Sequence, residues 1–405
     1  MSYPMGKGVR SPDYLQSGSA TFVLGSVTAD LETRVDPSAR SPMTQALVLT
    51  APWSLRLQEF HLPVVGEDDA LLRVEACGLC GTDHEQFAGV LPSFKEVIPG
   101  HESVGIIEQI GPVASKLWGV DVGDRVAVEV FQSCRQCDRC RAGEYRQCER
   151  YGIGQMYGFI PADHSPGLWG GYARHQYLSP GSKILRVPRS LDPVVATVFN
   201  PLGAGIRWGV TLPGTTNGDI VAVLGPGIRG LSVAAAAKSA GARTVLVVGK
   251  GPSDSERLEA ALRFGADVVV DSAVEDPGKV LHKAAGALAD VVIDVTAGAP
   301  EALGVAVNLA RQGATIVVAG TRGTAGIENF QPDLIVYKEL RILGALGVDT
   351  PAYTAALDLI ASRSFPFEEL PRATAPLDVD AVSNLLTTMG DSSKVTRPIH
   401  AVVVP

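Results

Sequence analysis

Six cysteines occur in the 405 residues, and four of them, Cys134, Cys137, Cys140 and Cys148, fall in the stretch FQSCRQCDRCRAGEYRQCER. The spacing is C-x2-C-x2-C-x7-C. Four thiolates so spaced can close a tetrahedral shell around zinc. A shell made wholly of protein sulfur leaves no open position for a substrate, so this metal is expected to be structural. It would hold together a loop that has no hydrophobic core of its own. An iron–sulfur cluster is the rival, but its cysteines are spaced differently and the last is often followed by proline; here Glu149 follows. Two further candidates stand apart on separate loops. Cys80 closes a predicted strand in ACGLCGTDHEQF, and His101 lies in IPGHESVG. Cys77 is read as a small hydrophobe packed in its strand rather than as half of a redox pair with Cys80.

A second chemistry is written in VAVLGPGIRGLSVAAAA, where Gly225, Gly227 and Gly230 form G-x-G-x-x-G between an apolar strand and an alanine-rich helix. In that context the first glycine allows a tight turn, the second lets the backbone approach a pyrophosphate, and the third lets helix and strand pack closely. The helix N-terminus then faces the anion. Ile228 and Arg229, inside the motif, are taken with the glycines as cofactor-binding positions. An acidic residue about 20 positions on would mark NAD. That position falls near Gly249, followed by Lys250. A glycine makes room there and a lysine can meet a 2′-phosphate, which favours NADP over NAD; Asp254 or Glu256 folding back to the ribose is the alternative.

The elements needed to position these groups fall into two kinds. From residue 43 to about 200, short strands such as DALLRVEAC, SVGIIEQIG and GDRVAVEVF are punctuated by Gly and Pro, as in a compact β-rich domain. From 201 to 365, continuous apolar runs (DIVAVLG, TVLVVG, DVVVD, DVVIDVT, ATIVVAG) alternate with helical stretches. That rhythm predicts a doubly wound parallel sheet covered on both faces, an α/β arrangement. Residues 366–405 are mixed and end in a strand, RPIHAVVV. Residues 1–42, rich in Ser, Pro and Gly, read as a flexible extension. A net charge of −8 and the lack of a basic stripe argue against nucleic acid. No apolar run long enough for a membrane span and no secretory leader are evident, so a cytoplasmic protein is expected. In a reducing compartment clustered cysteines are metal ligands rather than disulfides.

The order of these motifs (Cys80, then G-H-E, then the four-cysteine lobe, then the glycine loop) resembles the zinc-containing medium-chain alcohol dehydrogenase/reductase family over residues 43–405. The resemblance implies a GroES-like catalytic domain at 43–200, a Rossmann domain at 201–365, and a return to the catalytic domain at 366–405. It implies that Cys80 and His101 are ligands of a catalytic zinc, with Glu102 beside the metal and able to enter its shell. Thr82 matches the hydroxyl that shuttles the substrate proton, and Asp83 a carboxylate that orients the ligand histidine. Arg397 matches an arginine on the cofactor pyrophosphate. His84 and Glu85 flank the family's relay position, and neither is assigned to it. The implied reaction is hydride transfer between a small alcohol or carbonyl substrate and NADP or NAD, with two zinc ions per chain, in a homodimer or homotetramer. The strand in ELRILGALGV would pair between subunits.

One departure stands out. The family's third ligand is Cys or Glu, whereas VFNPLGAGIRW puts Asn200 there, and a neutral amide oxygen is a weak zinc donor. Either Glu102 binds directly, or Asn200 coordinates weakly, or the catalytic metal is labile or absent. The first is favoured, because two anionic ligands balance Zn²⁺ and leave a fourth position open. Without that metal the chain would be a reductase of activated double bonds or quinones. Without catalysis it would be a nucleotide-binding protein. Met156, Tyr157, Phe159 and Trp169 are either an apolar substrate wall or domain packing.

Overall fold

The computed structural model describes residues 42–91, 95–322, 326–327, 330–390 and 397–405. The expected extension over 1–42 lies, apart from Pro42, outside the described residues. Strands β1 (Met43–Ala51), β2 (Ser54–His61), β3 (Ala70–Leu79), β4 (Glu102–Ile110), β5 (Arg125–Val128), β6 (His175–Leu178) and β7 (Ile184–Arg186) come first. Strands β8 (Ile220–Leu224), β9 (Thr244–Gly249), β10 (Val268–Asp271), β11 (Ala289–Asp294), β12 (Ala310–Val318) and β13 (Arg341–Gly344) follow. The chain closes with β14 (Arg372–Pro376) and β15 (His400–Val404).

β1 and β2 form an antiparallel hairpin. The larger β-rich sheet runs β14-β15-β3-β4-β5-β7, with β6 also paired to β3. β3 is central and buried at most positions, since neighbours and helices cover it. β15 returns antiparallel to β3, with Ala401 opposite Leu79. The end of the chain therefore braces the strand that leads into Cys80.

The second sheet is wholly parallel, in the order β10-β9-β8-β11-β12-β13. All five residues of β8 are buried. Val221 and Val223 join the core on one face, and Ile220, Ala222 and Leu224 join the core on the other. That is why the strand reads as an unbroken apolar run rather than an alternating one. The strand order reverses between β8 and β11, the point at which such sheets open a crevice for ligands. The glycine loop leaves β8 there. Gly225 takes φ +99°, in the left-handed region, and a Cβ on Gly230 would stand 1.8 Å from the Gly225 carbonyl oxygen. The loop can therefore fold only with hydrogen at both positions.

The buried helix Phe199–Ile206 packs against both the helix Ile228–Ser239 and the helix Thr350–Ala361. It carries Asn200, which is buried.

Candidate active site and metal centres

The four-cysteine loop closes on itself. The sulfurs of Cys134, Cys137, Cys140 and Cys148 all lie within 4.8 Å of one another, and Cys134 Sγ stands 3.8 Å from Cys140 Sγ. Two thiolates on a tetrahedral zinc with bonds of about 2.3 Å would be about 3.8 Å apart, so the set fits the ion. The backbone N–H groups of Cys137 and Gln136 donate to Cys134 Sγ at 3.3 and 3.5 Å and hold that thiol below its ordinary pKa. Arg135 pins the loop to the body by donating to the carbonyls of Pro180 and Ser182, at 2.5 and 2.6 Å. No disulfide joins any of the six cysteines.

The second centre is built where β3 ends and β4 begins. Cys80 N-caps the short helix Gly81–Phe87, and His101 directly precedes β4. Both are buried, and Cys80 Sγ lies 3.2 Å from His101 Nε2. Sulfur and nitrogen sharing one tetrahedral zinc would be about 3.5 Å apart. Asp83, one helical turn along, faces the other ring nitrogen, with Oδ1 3.4 Å from His101 Nδ1, while its Oδ2 accepts the Cys80 N–H at 2.9 Å. Burial pulls the imidazolium pKa down, but Asp83 and Cys80 outweigh it and hold His101 well above its ordinary value.

The remaining carboxylate is Glu102. It does not belong to the group of Cys80, Asp83 and His101 that stands within one ion's reach. The shell favoured from the sequence, Cys80/His101/Glu102, is therefore not assembled in this arrangement, and Asp83 stands closer. Glu102 is nonetheless buried, its Oε1 has no partner, and burial raises its carboxyl to about 7. Asn200 is 3% exposed and donates from Nδ2 to the Tyr353 hydroxyl at 3.1 Å. Thr82 is half-buried in the first turn of the Cys80 helix. His84 is tied through Nδ1 to the Leu386 carbonyl at 3.1 Å. Cys77 is buried and faces Gly78 and Ser103, with its thiol pKa pushed up by burial, as suits a packing residue.

At the parallel sheet, Gly227 caps the helix Ile228–Ser239, whose first turn holds Ile228, Arg229 and Gly230. Gly249 ends β9, and the space over its Cα is closed by Asp254 and Leu258. Lys250 is exposed and its ammonium pairs with Glu301 at 3.0 Å, so the charge expected to wait for a phosphate already has a partner. Asp254 has folded back: it accepts the Lys250 N–H at 2.9 Å and lies 4.0 Å from Arg397.

Sequence reasoning passed over Arg257. Its guanidinium lies beside Gly227 and donates to the Pro398 carbonyl at 3.3 Å. Burial, then the neighbouring Arg397, lowers its pKa, and Arg397 Nε is itself buried without a partner. Two guanidiniums crowded at the mouth of a phosphate loop are stabilised by an anion between them. The signal in the sequence was an arginine one turn into the helix that follows the second strand.

The aromatic segment divides. Tyr157 and Trp169 belong to the β-rich core, and Met156 packs with Val130, Phe131 and Tyr145. Phe159 is half-buried, with its ring centre 6.0 Å from that of His101, and it is the member that faces the metal pocket.

Comparison with known proteins points the same way. A family described as alcohol dehydrogenase GroES-like domain matches residues 66–189, and one described as zinc-binding dehydrogenase matches 230–362. A Mycobacterium tuberculosis protein named "Probable alcohol dehydrogenase adh" is 59% identical over 364 residues, covering 90% of this chain and 99% of that one. An erythritol/L-threitol dehydrogenase of Mycolicibacterium smegmatis is 30% identical over 348 residues, covering 82% of this chain and 91% of its own length. A zinc-binding dehydrogenase of Sinorhizobium meliloti, solved bound to NADP, matches with a TM-score of 0.77 at 27% identity, over 90% of this chain and 100% of that one. An alcohol dehydrogenase of Thermotoga maritima shares the fold, with a TM-score of 0.79 at 22% identity over 90% of this chain and 100% of that one. With a thiol–imidazole pair beside a GroES-like sheet and a glycine loop at the switch point of a parallel one, the chain belongs to the zinc-containing medium-chain alcohol dehydrogenase family, whose reaction exchanges a hydride with NAD(P).

Proposed function

We propose that Cys80 and His101 hold the catalytic zinc of an alcohol-oxidising or carbonyl-reducing enzyme. The observation that carries this reading is the 3.2 Å approach of Cys80 Sγ to His101 Nε2, with Asp83 on the opposite nitrogen of the same ring. Asp83 is engaged on the far side of the imidazole, where it fixes the tautomer that leaves Nε2 free for a metal. Glu102 would become the third donor only by turning its buried, unpartnered carboxylate towards the ion from its present place outside the Cys80/His101 group, while Asn200 is held to Tyr353 as a weak auxiliary.

When bound, the ion supplies a Lewis acid for the alcohol or carbonyl oxygen. The chain's own residues do the rest. Thr82 passes the hydroxyl proton out of the pocket, and Phe159 forms an apolar wall beside the reacting carbon. Gly225, Gly227 and Gly230 bring backbone N–H groups to the pyrophosphate, with Arg397 on its charge and Arg257 turned to the 2′-phosphate. We favour NADP, now on Arg257 more than on Lys250.

The domain reading is GroES-like at 43–200, Rossmann at 201–365, and return at 366–405. An oligomer is proposed through β13, the outer strand of the parallel sheet, where Ile342 is 38% exposed. A cytoplasmic enzyme is proposed with it; among the described residues no helix is long and apolar enough to cross a membrane.

The test is metal analysis alongside a panel of alcohols followed by NAD(P)H absorbance. Two zinc ions per chain and turnover are expected, with one zinc and no turnover in Cys80→Ser. A parent protein that turns over with a single zinc would sink the assignment.

A further inference from the structure

A buried ion pair ties together the two strand ends next to the glycine loop. Asp294 closes β11 and is fully buried, and Arg322, just after β12, has its side chain 11% exposed. The guanidinium makes three contacts. Nη2 pairs with Asp294 Oδ2, Nη1 donates to the Gly320 carbonyl at 3.0 Å, and Nε donates to the Ala299 carbonyl at 3.1 Å. The other carboxylate oxygen, Oδ1, accepts the Thr296 N–H at 3.0 Å and the Thr296 hydroxyl at 2.6 Å. Backbone bonds complete the knot: the N–H groups of Ala319 and Gly320 donate to the Asp294 carbonyl, and that of Gly298 to the Thr321 carbonyl. The two loops pass so closely that a Cβ on Gly320 would stand 1.7 Å from the Thr296 carbonyl oxygen. Thr296 in turn lies against the phosphate loop, its methyl 3.1 Å from where a Cβ on Gly225 would be.

We propose that Arg322 is a positioning residue for the nicotinamide half of the coenzyme: by forking to Asp294, Gly320 and Ala299 it holds the loops after β11 and β12 as a rigid floor beneath the ring. The inference rests on reading the glycine loop after β8 as the pyrophosphate site. The sheet order then gives each half of the coenzyme its side. A ligand at the switch point straddles β8 and β11. Asp254 stands over the end of β9 and Arg257 beside Gly227, so the adenosine half belongs on the β9 side. The other half must extend across the carboxyl ends of β11 and β12, and these are the loops that Arg322 joins. Their residues are small (Thr296, Ala297, Gly298, Ala319 and Gly320), so side-chain packing gives them little order of their own. A planar guanidinium with three acceptors fixes orientation as well as position. A ring that must present one carbon to a hydride donor or acceptor needs both.

The test uses full-length protein and needs no turnover. Binding of NADPH, or of NADH if the parent prefers it, is followed by the fluorescence of the dihydronicotinamide ring. The matching fragment, ADP-ribose 2′-phosphate or ADP-ribose, carries everything but that ring and is titrated in competition. In Arg322→Met the reduced coenzyme should bind about tenfold more weakly, as when the loops keep the bound arrangement a tenth of the time. Its emission on the protein should fall towards that of free coenzyme, while the fragment binds as it does to the parent. Arg322→Lys, which keeps the charge on Asp294 but cannot fork to both carbonyls, should fall between parent and Met. If the Met variant shows no cooperative thermal transition it has not folded, and the Lys variant then decides by the same two affinities. Parental coenzyme affinity and emission overturn the proposal. Equal weakening of coenzyme and fragment in a folded variant also overturns it, because the pair would then serve the whole site rather than the ring. A parent protein that binds neither ligand overturns the reading of the glycine loop beneath it, so the two failures are told apart.

Discussion

Glu129 should make stability fall as pH rises, and replacing it should remove that dependence. The residue follows β5 and is fully buried. Its Oε2 accepts hydrogen bonds from the Tyr145 hydroxyl at 2.7 Å and the Thr350 hydroxyl at 3.0 Å, while Oε1 is buried without a partner. Tyr145 belongs to the four-cysteine lobe and Thr350 opens the helix Thr350–Ala361, so this carboxyl joins lobe and nucleotide sheet. Burial raises its pKa from 4.5 to about 8, against the opposing pull of the two hydroxyls and Lys183. Between those values the folded chain holds a proton that the unfolded chain has released. The contribution is therefore fully present below 4.5 and is lost as pH rises towards 8. Each pH unit in that window removes about 1.4 kcal/mol. From pH 5 to pH 8 the sum is about 3.5 kcal/mol, an order-of-magnitude figure for a group so buried. Glu129→Gln keeps the shape and drops the charge. Urea unfolding of parent and variant at each pH isolates the term, because contributions common to both, Glu102 among them, cancel in the difference. The variant should gain on the parent as pH rises, ending more stable at pH 8. Parallel curves from pH 5 to 8 would mean that Glu129 is already ionised in the folded protein, and the burial argument would be wrong.

Cys137→Ser should cost the four-cysteine metal and leave the peptide bonds of 131–150 open to limited proteolysis, with the Cys80 site still able to bind an ion; resistance equal to the parent's would refute a structural metal. Arg257→Ala should weaken NADP about 10- to 100-fold in a fluorescence titration, the loss expected for a charged hydrogen bond in the range of about 1.5–3 kcal/mol, and weaken NAD less. Equal losses for both coenzymes would move Arg257 from the 2′-phosphate to the pyrophosphate. Gly230→Ala places a methyl 1.8 Å from the Gly225 carbonyl oxygen. It should cost about 1–3 kcal/mol of stability and most of the cofactor affinity, read by thermal unfolding and titration; parental behaviour would mean the loop has more room than it shows.

Much of this protein is determined locally and is therefore legible in the residues alone. The continuous apolar runs announce a parallel sheet because both faces of β8 and its neighbours are buried. The glycine spacing announces the loop because no Cβ fits at Gly230. The four cysteines announce their metal because all the donors lie within a single short loop. What the sequence left open are contacts between residues far apart in the chain. Asn200 meets Tyr353, and Arg257 reaches the stretch beside Arg397. Arg229 lies over the ring of Trp208, and the Glu129 carboxyl takes its hydrogen bonds from a tyrosine of one element and a threonine of another. Tyr157 and Trp169 went to the core and Phe159 to the pocket, though all three sit in one aromatic run. Short-range spacing follows from covalent geometry, which any stretch of chain carries with it. Long-range pairing follows from which surfaces meet when the two sheets pack, and only the folded chain decides that.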